Sequence, residues 1–238
     1  MPLDAVPPDL LATLRRCSVP TLNSVMTKAG MSSGHMRHVI PVGPSRRFAG
    51  RAVTLRAIPT RDDLKARVIA GELPNLQMQA FEGLGPDDVL VIDSLCDLRA
   101  AVFGDVMATY AQVRGAAAIV IDGCVSDQEA LGAMSLPVFA RGNAASWALT
   151  YLHFTEINGP IGCDGVAVMP GDLVVGDGNG VVVLPAAKAA EVAATAAERE
   201  EIEVFILERV RAGASLTELY PTNDATRAAF RAWKAARG

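Results

Sequence analysis

The sequence lacks the basic block of a nucleic-acid-binding protein and the long apolar run of a membrane-spanning one. Aromatic residues make up 5% of its 238 residues, and the net charge is −4 with no block of lysine or arginine. A nucleic-acid-binding surface normally shows such a basic block, so we expect no nucleic-acid partner. No apolar run approaches the roughly 20 residues of a membrane-spanning helix, so we expect no membrane partner either.

Cysteine is also scarce, and the spacing of the four cysteines does not match a metal-binding motif. Cys17, Cys96, Cys124 and Cys163 contain no Cys-x-x-Cys pair. This favours reduced thiols in a cytoplasmic protein over a disulfide framework or a zinc site. The N-terminus has no basic stretch followed by an apolar one, which again predicts a cytoplasmic protein without a secretion signal.

What is abundant is aliphatic sequence, since half of the residues are hydrophobic. The length suits a single domain, 1–238. The pattern predicts two N-terminal helices, with Asp9 and Thr21 as their caps. A half-buried strand follows at 51–57, and strands and helices then alternate through 88–140. Such alternation indicates an α/β fold with a parallel or mixed sheet.

The last third of the chain has a different pattern. Strands between 165 and 184 are joined by tight turns, with a hairpin turn at 177–180. A long helix rich in alanine and glutamate is predicted from Pro185 to about Ala212, and a last helix covers about 224–236. We therefore expect a core at about 10–185 and a C-terminal helical extension at about 186–238.

Two acidic residues follow buried strands of the predicted sheet. Asp105 lies after the strand at 88–93 and Asp127 after the strand at 116–121. Ligands bind beyond the carboxyl ends of strands in open α/β sheets, so both acids are expected at one edge. Two carboxylates there suit Mg²⁺ or Mn²⁺. The alternative is that each acid only caps a helix.

The segment around Asp105 suggests an anion-binding helix start. Gly104 permits close backbone approach, and the free amides of Val106 and Met107 can hold a carboxylate. A metal site beside such amides would suit a 2-oxo acid.

These residues belong to motifs that resemble the RraA-like family. The motifs are Ala-Val-Phe-Gly-Asp-Val-Met-Ala at 101–108, Arg-Gly-Ala-Ala-Ala-Ile-Val-Ile-Asp-Gly-Cys-Val-Ser-Asp at 114–127, and shorter matches at 71–76, 137–142, 170–175 and 177–183. The resemblance covers about residues 10 to 210. The family includes class II 4-hydroxy-4-methyl-2-oxoglutarate aldolases, which also decarboxylate oxaloacetate, and RraA, a regulator of ribonuclease E.

The resemblance implies a β/β/α swivelling-domain sandwich and a set of site residues. Asp127 would bind the metal directly, Asp105 would hold a water on it, and the amides of Val106 and Met107 would bind the pyruvyl carboxylate. Asn75 and Gly104 lie in matching motifs and are further candidates for binding substrate. Family members assemble as trimers or hexamers, in which a neighbour's acid completes the site; Glu200, Glu201 and Glu203 are candidates, or simply form a solvated helix face.

The chain departs from the family pattern at a catalytic position. Ser126 stands where the family has arginine, whose guanidinium would stabilise charge on the substrate's keto oxygen. Arg99 and Arg141 are possible substitutes, or else form surface ion pairs. The segment 143–157 also departs from the usual loop. His35 and His38 form a His-x-x-His pair that is a weak metal signal beside the alternative of two exposed histidines.

The sequence thus supports three functional hypotheses. The first is a divalent-metal-dependent carbon–carbon lyase acting on a small 2-oxo acid through a metal-stabilised enolate. The second is a non-catalytic regulator like RraA, which would not require Asn75, Asp105 and Asp127. The third is a hydratase or isomerase on the same scaffold.

Overall fold

The computed structural model describes residues 5–237, so residues 1–4, which begin the segment considered for a secretion signal, lie outside it. The α-helices of the described part are α1 Pro8–Arg16, α2 Val19–Lys28, α3 Asp62–Ile69, α4 Leu76–Glu82, α5 Asp105–Val113, α6 Gln128–Ala133, α7 Ala189–Arg211, α8 Leu216–Leu219 and α9 Asp224–Ala235. The strands are β1 His35–Met36, β2 Ile40–Pro41, β3 Phe48–Pro59, β4 Asp88–Asp93, β5 Ala118–Ile121, β6 Cys124–Val125, β7 Val138–Ala140, β8 Gly142–Asn143, β9 Leu152–Ile157, β10 Ile161–Cys163, β11 Val166–Val168, β12 Leu173–Asp177 and β13 Gly180–Leu184.

The main sheet is mixed, as the alternation of strands and helices predicts. Its strand order is β1-β13-β12-β3-β4-β5-β7-β2, and β9 adds to β3 beside this path. The neighbours β3, β4, β5 and β7 run parallel, while the pairs formed by β12, β13, β9, β1 and β2 are antiparallel. The carboxyl ends of β4 and β5 therefore lie side by side.

The central strands are buried on both faces, which gives the fold its layers. Leu90 and Ile92 of β4 pack in one apolar cluster with residues of α4, α5 and α6. Val89 and Val91, which point the other way, pack in another cluster with residues of the β10–β11 hairpin. A small two-stranded sheet, the main sheet and a helical layer thus form a β/β/α sandwich. Helices α1, α2 and the first half of α7 cover the β12–β13 part of the sheet.

The N-terminal helices are where predicted, but their caps are not. Helix α1 starts at Pro8, with Pro7 as its N-cap and Asp9 in its first turn. Proline suits the first helical position because its missing N–H would have no partner there. Helix α2 is capped by Ser18, whose hydroxyl oxygen accepts from the Thr21 amide at 3.3 Å. The predictions of Asp9 and Thr21 as caps are therefore wrong.

Further differences concern strands and one helix. Strand β3 is longer than the predicted 51–57 and mostly buried, because it pairs with β12, β4 and β9 along its length. Strand β9 lies inside the segment that departs from the family loop, and helix α3 has no counterpart in the prediction. The 177–180 hairpin and the long helix α7 are confirmed.

Candidate metal and oxo-acid site

The structure brings Asp105, Ser126 and Asp127 together at the edge of the sheet beyond β4 and β5. Asp127 Oδ2 accepts a hydrogen bond from Ser126 Oγ at 2.8 Å and a longer one from the Asp105 amide at 3.4 Å. Asp105 is the first residue of α5, and Asp127 directly precedes α6. The predicted convergence of these residues is therefore present in the fold.

Helix capping does not account for either carboxylate. Gly104, not Asp105, is the N-cap residue of α5. Asp127 occupies the N-cap position of α6, but its φ is 54° and its side chain forms no cap hydrogen bond. A capping residue normally has extended backbone, which aims its side chain at the first free amides. The left-handed conformation of Asp127 instead turns its carboxylate away from α6 towards the start of α5.

Glycine is required at position 104 because there is no room for a side chain. The backbone angles do not require glycine, since a φ of −129° is open to any residue. A Cβ on Gly104 would overlap the Asp127 carboxylate and lie 2.5 Å from Ser126 Oγ. The absence of a side chain forms a slot that admits the carboxylate against the start of α5.

The start of α5 is free to hold an anion. Among residues 5–237 the amides of Val106 and Met107 have no acceptor, as is usual for the first turn of a helix. Val106 is 79% exposed, whereas Met107 packs against the apolar cluster under α5. The site thus combines free helix amides, which favour negative charge, with a carboxylate that favours a cation.

These residues fit a magnesium or manganese ion better than a metal that needs many protein ligands. Within residues 5–237 no group of three His, Cys, Asp or Glu side chains is placed to hold a metal. Mg²⁺ commonly binds through one or two carboxylates, with water and substrate as the other ligands. The Asp127 carboxylate, held beside the start of α5 where Asp105 lies, meets that modest requirement.

The segment of α4 nearest this site contributes a buried amide that the sequence did not single out. Asn75, a predicted substrate residue, caps α4 by accepting from the Met78 amide at 3.2 Å. Gln77 is buried and donates from Nε2 to the Val102 carbonyl, next to the loop that leads to Gly104. Gln77 therefore fixes α4 to the site loop. In the sequence, the only sign of this contact is a glutamine on the buried side of a short helix.

The two candidate substitute arginines have other partners. Arg99 donates to both oxygens of the Asp97 carboxylate, and its guanidinium lies 4.4 Å from the centroid of the Tyr151 ring. Arg141 lies 3.7 Å from Asp164 Oδ1. None of the ion pairs among residues 5–237 involves Asp105 or Asp127. The ion-pair alternative is thus the arrangement seen for both arginines.

The two histidines of the His-x-x-His pair also separate. His35 Nε2 lies 3.0 Å from the Asn179 carbonyl oxygen, and His38 Nδ1 lies 2.9 Å from Asp164 Oδ1. Each ring thus has its own partner, so the structure supports two independent loop contacts.

The three candidate glutamates of α7 differ in their surroundings. Glu200 Oε1 accepts from the Ser18 amide at 2.9 Å, and Glu201 pairs with Lys234. Glu203 lines a surface groove with Arg199 and Arg227, where partial burial and the nearby Glu200 raise the pKa of its carboxyl. Of the three, Glu203 has no hydrogen bond or ion pair within the described residues.

Comparison with known proteins defines the class of protein that this fold and site represent. The family described as RraA-like, Aldolase/RraA, matches residues 10–183, and the chain belongs to this family.

None of the helices in residues 5–237 is long and apolar enough to cross a membrane.

Individual relatives agree with this assignment. A protein of Halalkalibacterium halodurans named "Putative 4-hydroxy-4-methyl-2-oxoglutarate aldolase" is 40% identical over 108 residues, which is 45% of this chain and 51% of that protein. The chain spans about half the length of the curated relatives it matches first.

Two solved structures confirm the RraA-like fold. Streptomyces coelicolor RraAS2, described as an unusual member of the RNase ES inhibitor RraA protein family, superimposes with a TM-score of 0.76 at 27% identity, covering 86% of this chain and 98% of that one. An uncharacterized protein of Pseudomonas syringae pv. tomato gives a TM-score of 0.78 at 25% identity, covering 90% and 98%.

Proposed function

We propose that this protein is a divalent-metal-dependent carbon–carbon lyase that cleaves a small 2-oxo acid. The observation that carries the proposal is the Asp127 carboxylate, which its backbone turns away from α6 and towards the free start of α5. Relatives named as aldolases support the reaction class.

The residues take distinct roles in this proposal. Asp127, with Asp105 nearby, would hold Mg²⁺ or Mn²⁺, which when bound supplies a Lewis acid for the 2-oxo group. The amides of Val106 and Met107 bind and orient the substrate carboxylate. Asp105 would hold a water that takes the proton of the substrate's hydroxyl group as the carbon–carbon bond breaks and returns a proton to the methyl carbon of the pyruvate released. Asn75 holds the start of α4, and Gly104 keeps the slot open.

The serine at position 126 limits the proposed rate. An arginine at this position would hold a positive charge beside the keto oxygen before the reaction starts. Loss of such a preorganised charge typically lowers the rate about a hundred- to a thousandfold. Because Arg99 and Arg141 are engaged by Asp97 and Asp164, neither restores it in this conformation. We therefore propose slow turnover of the family's usual substrates.

A pyruvate-release assay tests the proposed function. 4-Hydroxy-4-methyl-2-oxoglutarate and oxaloacetate are each incubated with the protein and Mg²⁺, Mn²⁺ or EDTA. We expect slow release with either metal and none above background with EDTA. Asp105→Asn should lower the rate at least about a hundredfold, as loss of a general acid–base group does. Absence of release with every metal would contradict the proposal.

A second candidate function is regulation by protein binding, which the likeness to RraAS2 favours. Such a role would survive Asp127→Ala, whereas the lyase would not. Metal-bound protein without pyruvate release would instead favour a hydratase or isomerase acting on a 2-oxo acid.

A further inference from the structure

The two oxygens of the Asp127 carboxylate have different environments. Oδ2 accepts from Ser126 Oγ at 2.8 Å and from the Asp105 amide at 3.4 Å. Oδ1 accepts no hydrogen bond from residues 5–237. One oxygen is therefore fixed by the protein, and the other is available to a ligand.

The backbone alone does not fix this orientation. The last torsion of an aspartate side chain is broad, and the left-handed backbone of Asp127 removes the amides of α6 that would otherwise hold it. The Asp105 amide is at the long limit of a hydrogen bond. The short bond from Ser126 is thus the main restraint on rotation of the carboxylate.

We propose that Ser126 is a positioning residue, which holds Oδ2 of Asp127 so that Oδ1 faces outward as the single metal-ligand oxygen. A serine hydroxyl has one proton to donate, and here that proton goes to Asp127. Ser126 consequently cannot donate to a substrate oxygen at the same time. In the resembling aldolases this position is an arginine, which contacts the substrate. In this chain it is a serine, which contacts the metal ligand Asp127 instead.

This inference rests on the proposed metal site, and Mn²⁺ affinity of the full-length protein tests it without reference to activity. Free Mn²⁺ is measured by electron paramagnetic resonance during titration of wild type, Ser126→Ala and Ser126→Thr. Loss of the hydrogen bond that supports a metal-ligating carboxylate should weaken Mn²⁺ binding about ten- to a hundredfold in Ser126→Ala. Ser126→Thr keeps the hydroxyl and should bind within about twofold of wild type.

Ser135→Ala is the matched control, because Ser135 Oγ also donates a 2.8 Å hydrogen bond to a side chain, Gln112 Oε1. It should leave Mn²⁺ affinity unchanged, which separates positioning of Asp127 from a general effect of removing a hydroxyl. Equal affinity of wild type and Ser126→Ala would overturn the inference alone. Wild type that binds no Mn²⁺ would overturn the metal site and the inference together.

Discussion

At the scale of single residues, Glu200 shows how one carboxylate connects distant parts of the chain. It lies on α7 and accepts from the amide of Ser18, the cap of α2, 182 residues away. Partial burial by itself raises the pKa of the Glu200 carboxyl, but hydrogen bonds from Ser18 and Thr21 outweigh it and leave the pKa below its usual value. Glu200 therefore stabilises the fold in its charged form.

A lowered pKa predicts that this stabilisation is present above the carboxyl's usual pKa of 4.5 and is lost as the pH falls through the folded-state pKa. Glu200→Gln should lower the free energy of unfolding by about 0.5–1 kcal/mol at pH 7, allowing for solvent screening. Urea unfolding should show a smaller difference from wild type at pH 3.5. Glu198→Gln on the same helix is the control, and a Glu200→Gln difference independent of pH would contradict this account.

The sequence could predict which residues lie together at the candidate site, but not the hydrogen bonds between them. A carboxylate after each of two adjacent buried strands was enough to predict that Asp105 and Asp127 converge. The sequence could not show that Asp127 has a positive φ, because aspartate is also a common helix cap. Nor could it show the Ser126–Asp127 hydrogen bond, since neighbouring side chains often point apart.

At the scale of elements, hydrophobic patterns predicted the buried strands well and the loop elements poorly. Strands β4 and β5 are continuous apolar runs, so their place at the centre of the sheet could be predicted. Strand β9 alternates irregularly, with Leu152 and Phe154 buried and Thr155 and Glu156 exposed. It forms because the end of β3 at 55–59 has an edge that is free to pair with it. This pairing is a tertiary contact, which no local sequence pattern reveals.

At the scale of the whole molecule, the C-terminal extension forms its own small cluster. Phe205 of α7 packs against Phe230 and Trp233 of α9, with ring centroids 5.6–6.1 Å apart. This cluster is separate from those that cover the sheet. The extension thus carries a local core beyond the part that the family match covers.

Assembly into trimers or hexamers stays a prediction. Val106, Tyr110 and Val113 are exposed along one side of α5, and an apolar stripe beginning at the proposed site suits contact with a second subunit. Light scattering should give three or six times the chain mass of 25.0 kDa. Val113→Lys should weaken assembly, whereas Ile69→Lys, on the exposed helix α3, should not. A stable 25.0 kDa species at micromolar concentration would contradict the prediction.

The central claim is that Asp127 holds a divalent metal at the start of α5. Calorimetric titration of Mg²⁺ and Mn²⁺ into wild type, Asp127→Asn and Glu129→Gln tests it most directly. Glu129 is an exposed acid in the first turn of α6, so its variant controls for nearby charge. We predict one ion per chain for wild type and Glu129→Gln, and affinity at least about a hundredfold weaker for Asp127→Asn, since loss of a direct ligand should cost no less than loss of its supporting contacts. Equal affinity in wild type and Asp127→Asn, or no binding by wild type, would contradict the account.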